Sequence, residues 1–159
     1  MEGKPRPPAT AEQAHAAMDQ MIALSHIGQE DIARRLGLST TDLTCLGHVI
    51  GAAAAAEPIT AGELAVRAGL TTGAVTGVVN RLERAGFAHR RADPADRRRV
   101  RIVPDATANV RVFEIYEPFY RRLGEQFADY SPAEIAVLAD WFNRTTGLMR
   151  TYLDEVRRA

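Results

Sequence analysis

The chain has 159 residues, 46% of them apolar, and its 20 Lys+Arg match its 20 Asp+Glu. That is enough for one packed domain with an oligomerisation extension, and the zero net charge excludes a molecule that binds polyanions over its whole surface. A single cysteine, Cys45, excludes an intrachain disulfide; no apolar run suits a bilayer span and no leader pattern marks a signal peptide, so the expected compartment is the cytoplasm.

Residues 1–10 hold Pro5, Pro7 and Pro8 with Lys4 and Arg6, and are expected to form a disordered arm. From Ala11 to Leu36, Met18, Met21, Ile22, Ile32 and Leu36 recur at helical spacing. Gly37 ends that helix, with Gly28 as a weak point inside it. Ser39 and Asp42 restart a helix as a capping box, with Leu43, Leu46, Val49 and Ile50 on its inner face and Pro58 beyond its end.

Thr60 and Glu63 form the next capping box. Small Ala65, turn-forming Gly69 and apolar Val75 then fall at offsets that suit a helix-turn-helix. Thr71 caps the second helix, whose apolar face is Val75, Val78, Val79 and Leu82. Gly86 closes it. Two strands are predicted, Phe87 to Arg91 and Arg99 to Val103, around a basic tip from Ala92 to Arg98. Asp105 is placed to cap a long helix in which Phe113, Tyr116, Tyr120, Leu123 and Phe127 form one stripe, and Pro118 predicts a kink. Ser131, Pro132 and Glu134 open the last helix, with Leu138, Phe142, Met149 and Tyr152 at heptad-like steps.

The plan is mainly α: a winged helix-turn-helix over residues 38–104 with a two-stranded β wing, and long terminal helices, 11–36 and 105–159, as a dimerisation region. Its chemistry suits duplex DNA. The stretch from Arg81 to Arg101 carries Arg81, Arg84, Arg90, Arg91, Arg97, Arg98, Arg99 and Arg101 against Glu83, Asp93 and Asp96, a net of five positive charges. On the second helix, Thr71, Thr72, Gly73, Thr76 and Asn80 face outward, where a helix meets the major groove, while Arg81 and Arg84 suit phosphates. Arg97 or Arg98 at the wing tip suits a narrow minor groove. Asp96 is expected to hold an arginine, Arg98, and Asp93 to support the wing. The terminal helices bring Phe113, Tyr116, Leu138, Phe142, Met149 and Tyr152 to a homodimer interface.

At these residues the chain resembles the MarR family of bacterial transcription factors. The family's wing motif of Asp, any residue, Arg, a five-residue spacer and Leu-Thr maps to Asp96, Arg98 and Pro104-Asp105. Gly73-Ala74-Val75-Thr76 and Asn80-Arg81-Leu82-Glu83 resemble its recognition helix, and Asp93-Pro94-Ala95-Asp96-Arg97-Arg98 its wing. The resemblance implies a homodimer that binds a pseudo-palindromic operator, most often as a repressor, with release by a small ligand or by oxidation. Pro104-Asp105 departs from Leu-Thr, Asn80 stands where Asp is usual, and Gly77 stands where a larger residue is common.

Cys45 reads as a small buried residue rather than a redox sensor. Cys45 and His48, with His15, His26 and His89 elsewhere, make no metal site. No catalytic triad spacing or phosphate loop appears, so neither an enzyme nor a cofactor is expected. The competing class is a winged-helix protein-interaction module; it needs an apolar face between Thr72 and Arg84, and that face is polar.

Overall fold

The computed structural model describes residues 4–96 and 98–158; Arg97, expected at the wing tip, lies outside them. Its elements are α1 (Ala11–Leu36), α2 (Thr40–Ala54), β1 (Ile59–Thr60), α3 (Ala61–Ala68), α4 (Thr72–Arg84), β2 (Ala88–Ala92), β3 (Val100–Pro104), α5 (Ala106–Phe127) and α6 (Pro132–Val156). The fold is mainly α with a small antiparallel sheet, as expected of a winged helix-turn-helix. Two compact units emerge: Thr10–Tyr116, and a second that joins residues 4–9 to 117–158.

Local signals set the helix ends. Ser39, Thr60 and Ser131 each accept from the N–H three residues on, and Asp42, Glu63 and Glu134 answer to complete capping boxes. Thr10 and Gln13 form a fourth at the start of α1. Gly37 and Gly69 stand in the left-handed region, φ 71° and 66°, and close α1 and α3. Asp105 accepts from the N–H groups of Thr107 and Ala108 and so caps α5. Both α1 and α5 run through their interruptions, Gly28 and Pro118.

The sheet has the order β1-β3-β2, so it holds one strand more than the two-stranded wing that the sequence predicts. Ile59 pairs Ile102 and Thr60 pairs Arg101. The two residues of β1 give no alternation to read, and Thr60 serves both as strand end and as the cap of α3. The wing strands start one residue later than predicted, because the Phe87 N–H bonds back to the Leu82 carbonyl to finish α4. Ala88 pairs Pro104 and Ala92 pairs Val100.

In the first unit Leu46, Val49, Leu64, Val75, Val79, Leu82, Phe87 and Ile102 are sealed from water and form one core, which also takes Ala33 and Leu36 from α1 and Ala108 from α5. Burial on this scale supplies the main stabilisation of the helix-turn-helix. In the second unit the described part of the N-terminal segment is no detached arm. Lys4 pairs with Asp129 at 2.7 Å, and Arg6 pairs with Glu134, donates to the Asp129 carbonyl and stacks 3.7 Å over the Tyr130 ring. α6 buries none of its residues within the single chain.

Candidate nucleic-acid interface

α4 is held from beneath. Val75, Val78, Val79 and Leu82 are all buried, which turns Thr72, Gly73, Thr76 and Asn80 outward. Thr71 accepts the Ala74 N–H at 3.2 Å and starts the helix. The Thr76 hydroxyl donates to the Thr72 carbonyl at 3.0 Å, leaving its lone pairs and methyl to meet a ligand. Gly73 has open space where a Cβ would stand. A surface of small polar groups with backbone exposed near the helix start can enter a major groove.

The arginines divide sharply. Arg81, expected to hold phosphate, turns two of its three nitrogens inward: Nε and Nη2 donate to the buried Asp42 carboxylate at 2.7–3.1 Å. Burial works to raise the Asp42 pKa, but hydrogen bonds from Arg81 and Ser39 and the Arg81 charge outweigh it and hold the carboxyl below its ordinary value. Arg84 bends onto its own helix, its Nε donating to the Asn80 carbonyl at 3.2 Å. Arg90 pairs with Glu83, which also accepts the Arg90 backbone N–H at 2.9 Å, so the end of α4 is tied to β2.

Arg101 anchors the wing. Its Nε donates to buried Asp93 at 2.7 Å and its Nη1 to the Pro58 carbonyl at 2.7 Å. Asp93 also accepts from Ala95 and Asp96, shaping the wing turn, and these bonds, led by that of Arg101, lower its pKa. Glu63 faces Arg99 and Arg101 at 3.4 Å from the start of α3, and is held below its ordinary pKa chiefly by Thr60. The expectation that Asp96 holds the Arg98 side chain is corrected. Asp96 accepts the Arg98 backbone N–H at 3.0 Å, which fixes the turn and leaves the guanidinium to solvent.

Among the described residues, Arg91 and Arg98 are wing arginines without an ion-pair partner, and both are exposed. The external positive charge is thus concentrated on fewer groups than the raw count of arginines suggests. Sequence reasoning does not find Asp42, Glu63 and Glu83 as the acids that sort the arginines. The only signal for Asp42 is its place three residues after Ser39, and the cap accounts for that fully.

Elsewhere, Cys45 is fully buried, and burial followed by the Asp42 charge pushes its thiol up, disfavouring the reactive thiolate. No group of metal-binding side chains gathers among the described residues, and no helix there is long and apolar enough to cross a membrane.

Residues 36–99, from the end of α1 to the wing, match the MarR family. An uncharacterized HTH-type transcriptional regulator of Bacillus subtilis, YcgE, is 32% identical over 149 residues, covering 94% of this chain and 92% of that protein. The chain belongs to the MarR family. Solved structures of similar fold include the transcriptional regulator Tm0710 of Thermotoga maritima, 21% identical, with 90% of this chain and 98% of that one covered at a TM-score of 0.60. Another is a MepR mutant of S. aureus bound to an oligodeoxyribonucleotide, 16% identical, with 85% and 97% covered at a TM-score of 0.55. This MarR-family protein is a transcriptional regulator of the helix-turn-helix type, and α4 is the second helix of that motif.

Proposed function

We propose that this regulator binds a pseudo-palindromic duplex as a homodimer, α4 of each chain in a major groove and each wing against the neighbouring minor groove. The observation that carries the reading is the outward surface of α4: Thr72, Gly73, Thr76 and Asn80 are exposed beside a wing whose Arg91 and Arg98 lack ion-pair partners among the described residues. Thr71 at the helix start and Arg84 at its end flank that surface, and Arg97, between Asp96 and Arg98 in the sequence, adds a positive charge.

A second copy of the chain is the partner we assign to the apolar terminal helices. Phe113 is 66% exposed, Phe142, Met149 and Tyr152 are about half exposed in the single chain, and Tyr116 and Leu138 are partly covered. Exposed apolar surface on this scale marks an interaction site. Two-fold pairing would match the symmetry of an operator. We assign the protein a cytoplasmic repressor role, exerted by occupying a promoter and relieved by a small ligand, with no enzymatic step. Selection of duplexes from a randomised pool tests the reading: enrichment of an inverted repeat supports it, and no enrichment overturns it.

A further inference from the structure

Arg81 presents one edge to Asp42 and another to the outer surface of α4. Nε and Nη2 meet the Asp42 carboxylate at 2.7–3.1 Å, whereas Nη1 lies over Gly77, 3.5 Å from where a Cβ would stand. Among the described residues Nη1 has no hydrogen-bond partner, and the Arg81 side chain is 48% exposed. Apart from its chain neighbours and the backbone of α4, no other atom of the described residues lies within 4 Å of the Gly77 Cβ position. A Cβ at residue 77 would stand in van der Waals contact with Nη1, so a branched side chain there would crowd the guanidinium.

We propose that Asp42, Gly77 and Arg81 form one unit that presents a single oriented donor, Arg81 Nη1, to a phosphate of bound duplex DNA. Asp42 is the positioning residue: it holds the plane of the guanidinium and never touches DNA. Gly77 is the opening through which Nη1 reaches the surface. An arginine tethered in this way loses little freedom on contact, because its rotamer is already fixed in the free protein. Its place in the third turn of α4, beyond the Thr72–Thr76 surface, favours a phosphate over a base edge, since phosphate contacts set the register of a recognition helix. The inference rests on the DNA-binding reading above.

Arg81→Lys and Gly77→Leu test it. Lysine can supply a charge to Asp42 but lacks the planar fork, so it has no second nitrogen to offer DNA. Leucine favours the helix and displaces Nη1. Both variants are measured against the duplex that the wild-type protein selects from a randomised pool, with circular dichroism reporting the fold. Each variant is expected to stay folded, to bind about tenfold more weakly, and to lower the log–log salt slope by less than one unit, because Asp42 already offsets the Arg81 charge. Combining them should add little further loss, because both act through the same nitrogen. Folded variants with wild-type affinity and salt slope, or losses that add fully in the double variant, would overturn the inference. A wild-type protein that selects no duplex would instead overturn the DNA-binding reading beneath it.

Discussion

Arg81 and Asp42 are joined across 39 residues of sequence by a guanidinium that gives two nitrogens to one buried carboxylate. The pair ties α4 to the first turn of α2, where Asp42 also answers Ser39 in the capping box. A tertiary bond and a helix cap therefore share one side chain. Loss of Asp42 would loosen the start of α2 and the pose of α4 together.

The acid side of the stability profile follows from this pair and its neighbours. Asp42, Glu63, Asp93 and Glu134 all titrate below their ordinary values in the fold. An acid depressed in this way stabilises the fold above its unfolded pKa, and that contribution is lost as pH falls through the folded one. The urea midpoint should thus be level near neutrality and decline below about pH 4. Asp42→Asn should reduce stability near neutrality by about 2 kcal/mol and flatten the acid decline. A decline of unchanged steepness in Asp42→Asn would show that Asp42 is not among the groups responsible.

The wing separates scaffold from contact. Arg98→Ala should leave the melting temperature unchanged, and Arg98→Ala, alone or with Arg97→Ala, should reduce the salt slope of duplex binding by about one unit for each phosphate no longer neutralised. Asp93→Ala releases Arg101 and the Ala95 and Asp96 N–H groups, so it should lower both the melting temperature and the affinity. Equal melting shifts in Arg98→Ala and Asp93→Ala would contradict this division.

Gly73→Ala offers a test in which stability and binding move in opposite directions. The added Cβ meets nothing within 4 Å. The substitution should raise helix stability by as much as about 1 kcal/mol. If the α4 backbone approaches DNA at this point, the same methyl stands in the way and the complex weakens. A more stable variant with unchanged affinity would remove Gly73 from the contact surface.

The legible features are those decided within three or four residues. Ser39, Thr60, Thr71 and Ser131 start helices where their sequence context says they should, and Gly69 bends the helix-turn-helix with the positive φ that glycine permits. The hidden features depend on distant partners. Arg81 reads as one more basic residue until folding places Asp42 beneath it. Arg6 reads as part of a proline-rich arm until Glu134 and Tyr130 stand beside it. β1 has two residues and takes its identity from Ile102 and Arg101. The basic character of the wing is plain in its composition, but which arginines face outward is decided in part by Asp42 and Glu63, acids that lie outside that stretch.

Phe142→Glu addresses the terminal helices. Phe142 is 46% exposed in the single chain and touches Trp141 edge-on, so a carboxylate there need not enter the chain's own core. The variant should retain its helical circular dichroism, sediment as a monomer and bind operator much more weakly, because the gain from linking two half-sites disappears. A folded Phe142→Glu that still sediments as a dimer would exclude this face of α6 from the interface.

Sedimentation of the wild-type protein with its selected duplex, combined with footprinting of the bound sequence, tests the two-fold mode of DNA binding most directly. Two chains per duplex are expected, with protection of two half-sites about one helical turn, roughly 34 Å, apart. One chain per duplex, or protection of a single isolated half-site, would contradict that mode of binding.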